Sequence, residues 1–272
     1  MIKNIFSDLS LYRRLLFMQL KSQAQYKVNM AVDIGTYFAV TSLEFTGVLI
    51  YFGPFPTMLG WHVGEVAMLY AVMSIGFGFA ELFGAGIDAF PDTIRLGEFD
   101  RVLLRPAGSF VQLAGSDFRL RRLGRISQGV LGMAVALYLL PDLHWTLAKF
   151  VALLLGIASG GVIFVSVLLI GATICFWTID ATELVNIFTY GGRDLLSYPL
   201  TIYNQVLQRV FLFIVPIAFG SYVPTCYLLG RPLPFGLPGE IAFGAPLVSL
   251  IFALIAGAIW RFGVRHYQST GS

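Results

Sequence analysis

The chain has 272 residues, of which 57% are hydrophobic and only 12% charged, with a formal charge of +3 and a mean hydropathy of +0.78. That balance excludes a soluble domain and marks an integral membrane protein, since a bilayer core about 30 Å thick takes about 20 helical residues to cross. The arginines are scattered over loops with no basic groove of interleaved aromatics, so no nucleic-acid partner is expected. Cys175 and Cys226 both lie in apolar segments without C-x-x-C spacing, the pattern of buried thiols.

Residues 1–27 are too mixed in polarity for a cleavable signal. Ile5, Leu9, Tyr12, Leu16 and Leu20 recur at helical spacing opposite Lys3, Arg14 and Lys21. This predicts a cytoplasmic amphipathic helix lying on the inner membrane surface or packed on a soluble partner. A first span is predicted at about 32–52, closed by the turn-forming Gly53-Pro54-Phe55-Pro56, and a second at about 63–87 after the interfacial Trp61.

Residues 88–125 then form the densest charge in the chain, with seven arginines and five acids. The run Arg95 to Pro106 alternates signs among Leu96, Phe99, Val102, Leu103 and Leu104. A merely solvated loop has no need of those apolar residues, so a short amphipathic helix docked on another protein is expected there.

A third span is predicted at about 126–140 and a fourth at 147–177. The more polar stretch 178–209 is assigned to the side of the charged loop. A fifth span at 210–229, kinked by Pro216 and Pro224, precedes the Pro/Gly-rich break 230–244 and a sixth span at 245–260. Six spans put both termini on one side. On that model all but two of the 18 Lys and Arg residues, Lys149 and Arg231, share that side, which the positive-inside rule makes cytoplasmic.

The sequence has no phosphate-binding loop, no H-E-x-x-H and no G-x-S-x-G. Any ATP used is therefore bound by another chain. No metal site and no catalytic residue are expected. Asp33, Glu44 and Glu81 fall inside spans, where an ionised acid costs about 2.5–3.5 kcal/mol. They are read either as groups of a translocation or proton path, or as interhelical hydrogen bonds that Gln would serve equally well. Gly156-x-x-x-Gly160 offers a close helix approach.

The run Arg95 to Pro106, Gly191-Gly192-Arg193-Asp194 with Tyr198-Pro199, Ile214-Val215-Pro216, and the terminal run from Tyr267 to Ser272 together resemble the permease subunits of type-two ABC exporters of bacteria. The resemblance implies an all-α fold of six transmembrane helices in one permease domain. It also implies an amino-terminal connecting helix, a cytoplasmic coupling helix between spans two and three, and broken outer helices between spans five and six. It further implies a partner ABC ATPase docked on Asp92, Arg95, Glu98, Asp100, Arg101 and Arg105. A second permease, identical or related, is implied as well, in the bacterial cytoplasmic membrane with both termini inside. Two rival functions remain open from the sequence: a proton-coupled secondary transporter using Glu44 and Glu81, and a non-transporting membrane scaffold.

Overall fold

The computed structural model describes residues 2–52, 55, 57, 60–178 and 182–268. Parts of three expectations fall outside them: the turn at Gly53, Pro54 and Pro56, residues 179–181 of the polar stretch 178–209, and the last four residues of the terminal motif. The described chain is all-helical, with 81% helix and no strands among the described residues. In order it contains α1 (Ile2–Gln25), α2 (Lys27–Phe52), α3 (Val63–Asp88), α4 (Phe90–Arg95), α5 (Phe99–Leu103), α6 (Ser109–Ala114) and α7 (Leu123–Leu139). There follow α8 (Leu147–Ile174), α9 (Thr182–Leu196), α10 (Gln205–Arg209), α11 (Tyr222–Leu229) and α12 (Ala245–His266). Four stretches are long and apolar enough to cross a bilayer: Lys27–Phe52, Val63–Arg95, Leu147–Ile174 and Gly239–His266. α7, at 17 residues, is shorter than these.

α3 is the axis of the bundle. It is buried along almost its whole length, between α7 on one side and α8 on the other, and α8 in turn carries α12. Its sequence allows this because small residues alternate with bulky ones: Gly64 abuts Leu139, and Gly78 abuts Ile126 of α7. α2 is different. Only Thr41, Phe45, Val48 and Phe52 of it are buried. A helix this apolar with so much exposed surface is solvated by lipid or covered by another membrane chain.

The charged residues 88–125 lie at one end of the bundle, together with α1 and the end of α12. Gln19 Nε2 of α1 donates to Ser116 O at 3.0 Å, and Leu120 N donates to Gln23 Oε1 at 2.9 Å. The amino-terminal helix is thus clamped to the charged segment.

Two expectations are corrected. Residues 178–209 do not all stay at the charged end. α9 starts near it and rises alongside α8, Tyr190 donating to Asp88 at 3.4 Å. By Tyr198 the chain stacks on Phe52 at 6.0 Å, and Trp61 Nε1 donates to Thr201 Oγ1 at 3.3 Å, both at the far end. Polarity misplaced the segment because Arg193, largely buried, pairs with Glu44 of α2 within the bundle.

The segment 210–229 is not one continuous helix either. A π-helical turn (Val210–Ile214) follows α10. Pro216, which cannot donate a backbone hydrogen bond, precedes a 3-10 turn (Ile217–Gly220), and α11 then turns back. Both limbs return to the far end: the Arg209 guanidinium lies 5.5 Å from the Phe235 ring, and Tyr227 packs on Phe243 at 5.2 Å. The apex rests on α8 where Gly160 and Gly220 meet backbone to backbone, so close that an added Cβ on Gly220 would lie 2.4 Å from the Gly160 Cα. The glycine spacing in α8 therefore serves a contact inside this chain: Gly160 seats Gly220, and Gly156 seats Pro224.

Candidate functional site

Two polar assemblies stand out against the apolar bundle. The first is the platform made by α4 and α5. Pro91 occupies the first turn of α4, where its missing donor is harmless. Gly97, at φ +69°, takes the left-handed turn between the two helices that a side chain would disfavour. The inward faces of both helices are aromatic and buried. Phe90 meets Phe99 at 5.1 Å, Phe176 of the α8 exit at 5.3 Å and Trp260 of α12 at 5.2 Å, and Phe99 meets Tyr267 at 5.0 Å. Gln112 of α6, buried, donates to Val102 O and Ala107 O, each at 3.0 Å, and fixes the exit of α5.

The outward face carries five of the six expected docking residues, Asp92, Arg95, Glu98, Arg101 and Arg105, all exposed, while Asp100 is half-buried. Asp92 and Arg95 pair at 2.9 Å in full solvent, which adds at most about 1 kcal/mol. Among these charges stand Leu96, Leu103 and Leu104, the last 85% exposed. Apolar residues rimmed by charges and mounted on a rigid aromatic floor are the composition of a protein-docking surface.

The second assembly is a charge network inside the bundle. Glu81 of α3, with a side chain only 4% exposed, accepts from Arg125 Nε at 2.9 Å, from Arg122 Nη1, and from Tyr37 of α2 at 2.9 Å. Glu44 of α2 is 38% exposed and lies 3.5 Å from Arg125 Nη1, 3.3 Å from Arg193 Nη1 and 3.3 Å from the Tyr70 hydroxyl. Arg193 also pairs with Asp194 beside it. The Phe77 ring lies between Arg125 and Arg193, 5.5 and 5.8 Å from their guanidinium carbons. Such contacts between cations and ring faces gain strength when desolvated.

Of the three embedded acids, Glu44 and Glu81 are thus joined through Arg125. Asp33 stands apart, exposed, in a polar hollow of about 410 Å³ with Asn29, Arg119 and Arg121. The arginine partners were not legible from the sequence: Arg122 and Arg125 close the charged loop, and Arg193 sits in a segment assigned elsewhere. Their positions at the cap and first turn of α7 and within α9, one helix turn from apolar neighbours, were the available signal.

A third tie lies at the far end. Arg231 Nε donates to Glu65 Oε1 at 2.8 Å and Nη2 to Gly60 O at 2.7 Å, and its guanidinium carbon lies 5.0 Å from the Trp61 ring. The Glu65 hydrogen bond holds the Arg231 guanidinium above its ordinary pKa. Glu65 also accepts from His62 N at 2.8 Å, closing the start of α3.

Long apolar helices with charges neutralised in pairs between them mark a multi-pass membrane protein. More particularly, the chain belongs to the ABC-2 family of transporter proteins, whose family model matches residues 38–271. It is therefore an ABC permease, and the family implies pairing with an ABC ATPase. No curated protein and no solved structure matches the chain.

Proposed function

We propose that the chain is the six-crossing permease subunit of an ATP-driven exporter, with α2, α3, α7, α8, α9 and α12 as the crossings. The hairpin of α10 and α11 enters from the outer side and returns to it. The course of α9 supports this count: Tyr190, midway along it, donates to Asp88 at the end of α3, and Tyr198, just past its last turn, stacks on Phe52 at the far end of the bundle. Basic residues support the orientation, with both termini in the cytoplasm of a bacterium. Lys3, Arg13, Arg14, Lys21, Lys27, Arg95, Arg101, Arg105, Arg119, Arg121, Arg261 and Arg265 belong to one end, and Lys149, Arg209 and Arg231 to the other. The hairpin's fold moves Arg209 outward without upsetting the bias.

The observation that carries the function is the platform. Closure of two ATPase subunits on ATP would press on Asp92, Arg95, Glu98, Asp100, Arg101 and Arg105. The aromatic floor passes that displacement to the ends of α8 and α12, and α3 continues directly into α4. Besides the packing of α2 on α7 and of α9 on α8, α2 and α9 are tied to this block by the polar contacts of Glu44, Glu81, Tyr37 and Arg193. These are directional contacts with a small number of alternative pairings, which suits elements that shift between two positions. A second permease facing α2 and α9 would complete the path. The chain supplies no catalytic group, and ATP is hydrolysed on the partner.

The same network argues against proton coupling. A proton reaching Glu81 must displace two guanidinium groups, and one reaching Glu44 competes with two more contacts. The test is purification from native membranes with its ATPase, followed by vanadate-sensitive transport in vesicles. Arg101→Glu is expected to release the ATPase or uncouple its hydrolysis, while Lys149→Gln does neither. Wild-type ATPase retention and transport in Arg101→Glu would overturn the assignment of this platform.

A further inference from the structure

On the flank of the bundle away from the charge network, α3, α8 and α12 leave an apolar groove of about 810 Å³, within the range of about 300–1,000 Å³ common for ligand sites. Phe79 and Phe83 of α3 form one wall and Leu154 and Val162 of α8 another. The groove exists because the facing residues are small. At Gly257 of α12 an added Cβ would meet nothing within 4 Å. Ser166, its one lining hydroxyl, is occupied by a 2.7 Å bond to Val162 O in its own helix.

The groove is not closed at the charged end. A second hollow, of about 420 Å³, shares Phe83, Phe110 and Val165 with it and runs on to Tyr12 and Asp8 of α1. Trp260 and Arg261 stand at the mouth. Arg261 is exposed and has no ion-pair partner among the described residues, and Arg13 and Arg14 of α1 are exposed at the same end.

We infer that this groove is a lipid site, holding an acyl chain of an anionic glycerophospholipid from the leaflet at the charged end, with its phosphate against Arg261. The long, dry lining fits a hydrocarbon chain. The free cation at its mouth fits an anionic headgroup, as basic side chains at a membrane surface do. Trp260 gives the site a consequence, because it packs 5.3 Å from Phe176 and 5.2 Å from Phe90. A chain in the groove therefore fills out the floor under α4 and α5. The inference needs only a membrane around the protein and does not depend on the ATPase reading.

The test is native mass spectrometry of the full-length protein, purified in detergent, delipidated, and exposed to equal amounts of dioleoylphosphatidylglycerol and dioleoylphosphatidylcholine. The wild type is expected to retain the glycerol lipid preferentially. Gly257→Leu, whose Cβ enters open space at the groove wall, is expected to lose that retention. Arg261→Gln is expected to keep a bound chain but lose about fivefold of the headgroup preference. The proposal is overturned if the wild type retains both lipids equally, or if Gly257→Leu retains as much phosphatidylglycerol as the wild type. It is also overturned if Gly257→Leu changes the oligomer size while leaving lipid retention untouched, since the groove would then seat protein.

Discussion

Replacing Glu81 by Gln removes a charge and almost no volume, so its effect isolates the ion pairs. The substitution leaves two guanidinium groups, Arg122 and Arg125, with side chains only 11% and 5% exposed and no full partner. Breaking a buried pair by deleting one member costs about 3–5 kcal/mol, mostly from stranding the other charge. Glu44, 3.5 Å from Arg125, offsets part of this, which places the expected loss near 3 kcal/mol. Glu44→Gln is the matched control. Its carboxylate is partly exposed and its contacts are 3.3–3.5 Å long, so a loss of about 1 kcal/mol or less is expected. Unfolding in mixed micelles by sodium dodecyl sulfate titration, followed by loss of helical circular dichroism, measures both. Equal losses for the two variants, or none for Glu81→Gln, would refute a buried pair at this position and with it the charge tie between α2, α3 and α7.

Three further outcomes are expected. A cysteine at Asn204, exposed and beyond the outer end of α9, is labelled by an impermeant thiol reagent in intact cells, whereas one at Arg101 is shielded; shielding at Asn204 would return residues 198–209 to the inner side. Gly220→Val places a side chain against the Gly160 backbone and lowers stability by about 1–3 kcal/mol through overpacking, read as a fall in the same detergent titration. Leu104→Glu, at a position 85% exposed, leaves helical content and stability unchanged but weakens ATPase retention in a pull-down; unchanged retention would remove the leucines from the docking surface.

Much of the architecture was legible in the sequence because hydropathy alone sets where long helices run. The expected spans at 32–52, 63–87 and 147–177 differ by only a few residues from α2, α3 and α8. The short helices α4 and α5 stand where the run Arg95 to Pro106 leads one to expect an amphipathic helix, with Leu96, Leu103 and Leu104 exposed among its charges. What failed was the stretch 178–229: Pro216 breaks the helix expected at 210–229, and in 178–209 the charge of Arg193 was read as facing water. A charge lowers the hydropathy of its segment whether it faces water or a buried counter-ion. Arg193 pairs with Glu44, a residue 149 positions away, and no local window contains both. The two acids were alike on sequence grounds as well, both reading as replaceable by Gln. Only the arginines beside them, from α7 and α9, distinguish a buried ion pair from a packing contact.

The hairpin formed by α10 and α11 has a consequence for how the protein is made. Neither limb is long enough to leave the insertion machinery as a crossing: α11, with eight residues, rises only about 12 Å against a hydrocarbon core of about 30 Å. Its apex finds its seat only on partners already in place, Gly160 of α8 and Gly192 of α9, which packs against Ile217. Its remaining wall, Val248, Phe252 and Ile255 of α12, has not yet been synthesised when the hairpin emerges. The complete seat of the hairpin therefore exists only once α12 stands beside α8 and α9.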